Sequence, residues 1–223
     1  MTDVELPLGG VERRSLKEQS LEKLRSAIET GTLAPGQRLV ETQLSKALTV
    51  SRGTLREAAQ VLIQEGLIAT DERGRMVVRV LTQREVHDIF AVRSALECLA
   101  ARTIALSDHR EESVLELEGA LEPLREAGSS LQALMDADMA FHRLLIVHSR
   151  NETLLRSWDH ILGSVRATIT RAGVAEALRN MGWDRHIPLV RAIATGDPDT
   201  ASQRLQEHHA ETAERLADLI FKD

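Results

Sequence analysis

The first 80 residues combine apolar positions at helical spacing with polar breaks that end each run. Ser15 and Glu18 have the spacing of a capping box, and the apolar positions after them predict a first helix that ends at Gly31. A turn containing Pro and Gly follows, and a second, short helix is predicted over 41–47. The pattern therefore predicts two helices before residue 50.

A third helix is predicted to start after its capping residue Ser51, to run to about Glu65 and to be ended by Gly66. Arg56 falls on its polar face, and Arg52 lies at its leading end. The opposite face is apolar and is expected to face a core, with Leu55, Ala58, Ala59 and Leu62. This helix therefore has one face for packing and one for solvent or a partner.

Two short β-forming segments follow the third helix. The segments LIAT and RMVVRV are separated by DERG, which predicts an antiparallel hairpin with Gly74 in its turn. Three short helices and a hairpin within about 65 residues are the elements of a winged helix-turn-helix. We therefore expect an N-terminal domain of this type over residues 1–80.

The pattern from residue 81 onward predicts helices alone, so we expect a second domain over 81–223. Thr82 and Glu85 have the spacing of a second capping box, and Pro198 is well placed as the first residue of the last helix. The predicted helices are 82–106, 109–127, 130–149, 151–172, 174–181, 183–195 and 198–221. The expected fold class is mainly α: a winged helix-turn-helix of three helices and a β-hairpin, followed by an all-α antiparallel helical bundle.

The composition narrows the class of protein. The chain has 223 residues, of which 43% are hydrophobic, 28% charged and 2% aromatic, which is typical of a soluble, helical, globular protein. It has no run of about 18 apolar residues, so no membrane span is expected. The single Cys98 cannot form an internal disulfide, which favours a reducing compartment. With no apolar core of the signal-peptide type at the N-terminus, we expect a cytoplasmic protein.

The charge is divided unevenly between the two predicted domains. The net charge is −6, which by itself is not typical of a nucleic-acid-binding protein. Residues 1–80 hold 12 Lys and Arg against 11 Asp and Glu, whereas the remainder holds 16 against 23. The acidic excess thus lies in the second domain, and the first can still present a basic patch.

The segment GTLAPGQRLVETQLSKALTVSRGTLREAAQVLIQEGLI, with the hairpin after it, resembles the DNA-binding domain of GntR-type bacterial transcription regulators. The resemblance covers residues 16 to 80 and includes VSR..LREA and L..EGL. The helical remainder resembles the ligand-binding FCD domain of the FadR branch over nearly all of residues 82 to 221. The sequence departs from the family pattern at Thr49, where Gly is usual, and at Gly53 and Thr54.

The resemblance implies that Arg52 and Arg56 face DNA. A guanidinium group offers a planar pair of donors for guanine O6 and N7 or for phosphate oxygens. The alternative is that these arginines are solvated or pair with Glu41 or Glu57. Weaker candidates for DNA contact are Arg38, Thr54, Arg73, Gly74 and Arg75.

Four residues of the second domain form a candidate metal site. Asp138 and His142 stand four residues apart, so on a helix both project from one face. Spacing alone also allows a surface ion pair. The resemblance adds His186 and His208, because FCD domains commonly carry Asp-x-x-x-His on one helix and two further His residues on later helices. One carboxylate and three imidazoles suit Zn²⁺, Ni²⁺, Mn²⁺ or Fe²⁺. His209 is the weaker alternative to His208, since it points about 100° away around the helix.

An octahedral ion with four protein ligands keeps two positions for water or an oxyanion. A small carboxylate effector could bind there, and Arg93 is the candidate cation for its charge. The alternative for Arg93 is a helix-surface pair with Glu97, four residues on. Asn151 is a second candidate for effector binding, and a helix cap is its alternative role.

The sequence therefore predicts a transcription regulator, in the commoner family mode a repressor, and not an enzyme. It would bind double-stranded DNA at a two-fold operator as a homodimer, because one recognition helix reads only a half-site. A small organic acid bound at or near the metal would control it. Two alternatives remain from the sequence: a metal-dependent hydrolase with an accessory nucleic-acid-binding domain, and a helical scaffold without a small-molecule response.

Overall fold

The computed structural model describes residues 15–127, 130–172 and 181–221. Its N-terminal part contains the three predicted helices and the predicted hairpin. The elements are α1 (Leu16–Glu29), α2 (Glu41–Leu48), α3 (Arg52–Gln64), β1 (Ile68–Thr70) and β2 (Met76–Val78).

The predicted caps explain where these helices begin. The Ser15 hydroxyl accepts a hydrogen bond from the Glu18 backbone N–H at 3.1 Å, and the Glu18 carboxylate accepts one from Ser15 N–H at 2.7 Å. Ser51 caps α3 by accepting from the Thr54 N–H at 3.1 Å. α2 ends at Thr49, whose φ of 57° is left-handed. This backbone conformation disfavours a β-branched residue, which explains why Gly is usual at this position.

The hairpin forms the wing. β1 and β2 pair antiparallel with Ile68 opposite Val78. Gly74 has a φ of 71°, and its N–H donates to the Asp71 carbonyl at 2.8 Å, which closes the turn. Arg38 forms a bridge with Val77, so the segment before α2 borders the hairpin.

Seven further helices follow among the described residues. They are α4 (Gln83–Ala105), α5 (Arg110–Gly119), α6 (Glu122–Glu126), α7 (Leu131–His148), α8 (Glu152–Ala172), α9 (Trp183–Ala194) and α10 (Pro198–Phe221). The single helix predicted over 109–127 was wrong, because the chain forms α5 and α6 there. Pro123 has no N–H to donate, and in a continuous helix its ring would clash with the carbonyl of Gly119, which favours a break before it. The short helix predicted over 174–181 lies, except for Met181, outside the described residues.

The mainly α fold class is confirmed, and the buried residues form two separate cores. One core joins α1, α2, α3 and the hairpin, and its last member along the chain is Val78. The other joins the helices of the bundle and begins at Leu81. The exact division at residue 80 stays a prediction. None of the described helices is long and apolar enough to cross a membrane.

Helix α8 joins the bundle to the winged part. The Arg166 guanidinium pairs with Glu29 of α1 at 2.8 Å and with Asp136 of α7 at 2.9 Å. The end of α3 rests directly on α8: a Cβ added to Gly163 would lie 2.6 Å from the Glu65 carbonyl oxygen. Helix α8 therefore contacts the winged part at two places, α1 and the end of α3, so a displacement of α8 would change these contacts.

Candidate metal centre and nucleic-acid surface

The four predicted metal ligands come together in the interior of the bundle. α7 contributes Asp138 and His142 from one face, α9 contributes His186, and α10 contributes His208. Their exposed fractions are 3%, 0%, 0% and 7%, so the four side chains are buried. Polar side chains of this kind are rarely buried together unless they bind one another or a ligand.

The nitrogen and oxygen atoms of this cluster converge. His142 Nε2 lies 3.1 Å from His186 Nε2, and Asp138 Oδ1 lies 3.0 Å from the same nitrogen. His208 completes the group, because one nitrogen of each of the three histidines lies within 4.8 Å of the others. The structure thus brings together residues that are up to 70 positions apart in the sequence.

The partners on the far side of two imidazoles fix their tautomers. His142 Nδ1 is 2.6 Å from a Glu97 carboxylate oxygen, and His186 Nδ1 is 2.9 Å from the Gly182 carbonyl oxygen. Both partners only accept hydrogen bonds, so each Nδ1 carries the hydrogen and each Nε2 presents a lone pair. Two lone pairs and the Asp138 carboxylate then face one another without a hydrogen between them. A cation at their centre resolves this arrangement, and the residues fit a divalent transition metal.

The protonation states also fit a metal. Burial opposes ionisation of Asp138, but the neighbouring His142 and His186 side chains and the guanidinium of Arg93 outweigh it and lower its pKa to about 2. Burial, together with the charge of Arg93, lowers the pKa of His142 to about 4. Burial and the neighbouring histidines hold the pKa of His208 well below its usual value. An ionised carboxylate and neutral imidazoles are the forms that bind metal near neutral pH.

Glu97 is a residue of the site that the sequence interpretation missed, because it considered Glu97 only as a surface partner of Arg93. Its carboxylate is fully buried and accepts hydrogen bonds from four groups. They are Arg93 Nε at 2.8 Å, His142 Nδ1 at 2.6 Å, Trp158 Nε1 at 3.2 Å and His209 Nε2 at 2.9 Å. Although burial opposes ionisation, the imidazoles of His142 and His209 and the guanidinium of Arg93 hold the pKa of Glu97 well below its usual value. The available signal was its position on the apolar stripe of α4, with Phe90, Ala101 and Ile104.

Arg93 faces the cluster rather than the solvent. It is 2% exposed, and its Nη2 has no hydrogen-bond partner among the described residues. Asp138 Oδ2 lies 3.7 Å from this nitrogen, which allows an ion pair but is too far for a hydrogen bond. This guanidinium borders a cavity of about 10 Å³, whose wall is formed by Arg93, Asp138, His142, Ile169, Met181, His208, Thr212 and Leu216.

Two other residues considered for the site lie elsewhere. Asn151 is exposed and caps α8, because its side-chain oxygen accepts from the Leu154 N–H at 3.0 Å. Ile169 of the cavity wall lies 18 residues further along the same helix, which places Asn151 about 27 Å from it. We therefore assign capping to Asn151. His209 binds Glu97, on the far side of His142 from the converging nitrogens.

The predicted DNA contacts lie on the surface of the winged part. Arg52 is exposed at the first position of α3. Arg56 is one turn later, and its side chain is 68% exposed although it pairs with Glu41 at 2.9 Å. The pair with Glu41 considered from the sequence is therefore present, and the guanidinium is still accessible to solvent.

The weaker candidates for DNA contact also lie in the winged part. Arg38, Arg73 and Gly74 are exposed. Arg75 is half-buried and bound to Asp71 at 2.6 Å. The Thr54 hydroxyl lies 2.9 Å from the capping hydroxyl of Ser51, so it is engaged within the start of α3.

Two family profiles match the chain, one within the winged part and one within the bundle. Residues 16–78 match the profile of the bacterial regulatory proteins of the gntR family, and residues 88–211 match that of the FCD domain.

Several relatives and one solved structure extend the similarity. The chain is 34% identical to the transcriptional regulator YdhC of Bacillus subtilis over 146 residues, which cover 64% of this chain and 65% of that protein. It is 28% identical to the probable D-xylose utilization operon transcriptional repressor of Paenarthrobacter nicotinovorans, over 89% of this chain and 87% of the other. A GntR transcriptional regulator from Rhodococcus sp. RHA1 has a similar crystal structure, with a TM-score of 0.73 and 27% identity, covering 91% of this chain and 98% of that one.

Proposed function

Because the chain belongs to the gntR family of bacterial transcription regulators and carries an FCD domain, we propose that it is a repressor controlled by a small carboxylate. In this proposal residues 1–80 bind a two-fold operator, and residues 81–223 hold a metal at which the carboxylate binds. The relatives are transcription regulators and not enzymes. A protein that binds the bacterial chromosome works in the cytoplasm, which is the location we propose.

The exposed arginines of α3 support the DNA-binding part. We propose that Arg52 and Arg56 contact base edges or phosphates, and that Arg73 and Gly74 of the wing approach the backbone. The pair of Arg56 with Glu41 does not oppose this, since exposed ion pairs contribute only about 0–1 kcal/mol and can be exchanged for a phosphate contact.

A face of α4 supports the homodimer. Val92, Leu99 and Leu106 are 49%, 49% and 69% exposed, and they recur every seven residues. A seven-residue spacing places them along one side of the helix, as at a helix–helix interface. We propose that a second copy covers this side, which would give the two recognition helices that a two-fold operator requires.

The convergence of acceptor atoms is the observation that carries the metal proposal. Asp138, His142, His186 and His208 would hold the ion, with Glu97 and the Gly182 carbonyl orienting two of the imidazoles. When bound, the metal would supply a Lewis-acidic position for a carboxylate oxygen. Arg93 would receive the other oxygen through its unpaired Nη2.

Helix α8 is the proposed route from this site to the operator. Ile169 of α8 lines the cavity, and one turn earlier Arg166 holds Glu29 of α1. Gly163 meets the end of α3 another turn earlier. An effector that displaces Ile169 would therefore shift the contacts of α8 with the winged part, and its unequal affinity for the two arrangements would set the operator affinity.

Native mass spectrometry and elemental analysis of protein purified without chelators test the metal. We expect one divalent transition metal per chain in the wild type and none in His186→Ala. His160→Ala, a substitution of an exposed histidine on α8, serves as the matched control and should retain the metal. A wild-type protein that takes up no metal even after incubation with Zn²⁺, Ni²⁺, Mn²⁺ and Fe²⁺ would contradict the metal site.

Selection of DNA from a random library tests the binding of an operator. We expect the selected sequences to contain two inverted half-sites and to be bound by two chains, as measured by the mass of the complex. Recovery of unrelated sequences, or a complex with one chain, would contradict the two-fold operator.

A further inference from the structure

We propose that the effector is a short monocarboxylate with an apolar substituent, rather than a polyhydroxylated or a dicarboxylic acid. This inference rests on the proposed function and narrows the chemical class of the ligand of the same site. Three features of the cavity support this inference. They are the charged groups around the cavity, the Arg93 nitrogen without a hydrogen-bond partner, and the side chains of the outer wall of the cavity.

The buried charges favour a single negative charge on the ligand. Among the described residues of the cavity and of the contacts behind it, Arg93 is the fixed cation, and Asp138 and Glu97 are the carboxylates. The ligating histidines must be neutral to bind a metal. One carboxylate of a ligand therefore meets Arg93, whereas a second carboxylate would have no further fixed cation among the described residues of the cavity.

The unpaired nitrogen of Arg93 defines where the carboxylate binds. The guanidinium is anchored by its Nε, which donates to Glu97 at 2.8 Å, so its orientation is fixed. Its Nη2 is buried at the edge of the cavity without a hydrogen-bond partner among the described residues. A buried, unpaired donor on a cation is unfavourable, and a carboxylate oxygen of the ligand satisfies it.

The outer wall of the cavity offers little to a ligand rich in hydroxyl groups. Ile169, Met181 and Leu216 supply only apolar atoms. Among the described residues of this wall, the one hydroxyl belongs to Thr212, and it already donates to the His208 carbonyl at 2.7 Å. Each hydroxyl of a sugar acid would lose its hydrogen bonds to water on this wall, whereas an alkyl group would not.

The free volume limits the length of the ligand. A cavity of about 10 Å³ has room for at most about one water molecule. A carboxylate must therefore displace part of the wall, both Met181, which is unbranched and flexible, and Ile169 of α8. A short ligand needs the smallest displacement.

Thermal unfolding of the full-length, zinc-loaded protein with a panel of acids tests the inference. The probes are acetate, propionate, butyrate and lactate, compared with gluconate as a polyhydroxylated monoanion and malonate as a dianion. We expect propionate or butyrate to raise the melting temperature most, because a ligand that binds only the folded state stabilises it. Gluconate and malonate should have no effect at the same concentration. An equal or larger rise with gluconate or malonate would overturn the inference while leaving the proposed effector site in place.

A substitution of Arg93 separates specific binding from general salt effects. Arg93→Gln should weaken propionate binding about tenfold or more, because it removes a charged hydrogen bond; the comparison is made at zinc saturation, verified by elemental analysis of both proteins. Arg102→Gln on the same helix, where the arginine is half-exposed, is the matched control and should leave propionate binding unaltered. If no acid of the panel binds although zinc is retained, both the inference and the proposed effector control fail. Unchanged propionate binding in Arg93→Gln would overturn the placement on Arg93.

Discussion

The charged side chains at the surface of the winged part are exposed, whereas those in the interior of the bundle are buried. In the winged part, Arg52 and Arg56 are exposed, and Arg56 is held by one ion pair in solvent. In the bundle, the carboxylate of Glu97 is buried and bound by four donors. An ion pair in water can exchange its partner at little cost in free energy. A buried hydrogen-bond network keeps its geometry even without a ligand. The first arrangement suits the proposed DNA-binding surface, and the second suits the proposed effector site.

The largest expected effect comes from removing the exposed arginines. Arg52→Ala together with Arg56→Ala should weaken operator binding about 100-fold or more, because each contact to a base contributes about 1–3 kcal/mol. The melting temperature of the protein should stay nearly unchanged, as these side chains are in solvent. Gel retardation and thermal unfolding measure the two quantities.

Arg84→Ala is the matched control for that experiment, because Arg84 is 91% exposed on α4, outside the proposed DNA surface. It should retain wild-type operator affinity. If the double variant bound the operator normally, or if it melted much lower than the control, the contrast between an exchangeable surface and a fixed interior would not hold.

The next largest effect is expected from the buried network. Glu97→Gln keeps the size of the side chain but removes the charge that fixes the His142 tautomer, so metal affinity should fall about 10- to 100-fold. Competition with a fluorescent zinc chelator measures this affinity. Glu116→Gln is the matched control, since its carboxylate meets the peripheral His148 at 3.3 Å. Wild-type zinc affinity in Glu97→Gln would contradict the orienting role of this residue.

A smaller effect is expected where the two regions meet. Glu29→Gln weakens the ion pair with Arg166. Binding of the carboxylate effector should then lower operator affinity less than in the wild type, by about 1 kcal/mol or roughly fivefold. Operator affinity with and without the carboxylate gives this difference. Asp159→Asn, which weakens a pair with Arg143 inside the bundle, should leave the drop intact. Equal responses of the two variants would show that α8 does not carry the coupling through Glu29.

The smallest effect concerns backbone strain in the winged part. Thr49 adopts a φ of 57°, so Thr49→Gly should raise the free energy of unfolding by about 0.5 to 1 kcal/mol. Thr30 also ends a helix, but its φ is −83°, so Thr30→Gly should lower the same free energy. Chemical denaturation measures both. A loss of stability in Thr49→Gly would mean that side-chain contacts of this threonine outweigh its strain.

Local patterns accounted for most of the fold. Ser15, Thr82 and Ser51 were recognised as caps because a cap depends only on residues three positions apart, and each bonds as expected. The break at Pro123 was missed, although proline in a helix interior is itself a local signal. Asp138 and His142 were paired from their spacing, but their link to His186 and His208 came from the family resemblance.

The surroundings of the site could not be predicted from local patterns. Glu97 bonds to side chains of three other helices, up to 112 positions away, and such contacts depend on how the helices pack. The sequence offered only the fact that Arg93 and Glu97 fall on a stripe with apolar neighbours. Burial turns this pair from an ordinary surface contact into part of the buried polar cluster.

Gly163 has a consequence for how the regulator could be switched without a ligand. Only a hydrogen atom fits between this position and the backbone of Glu65. A single methyl group, introduced as Gly163→Ala, would push the end of α3 away from α8. Under the proposed coupling through α8, a strain with this substitution should express the regulated genes constitutively, even without an effector.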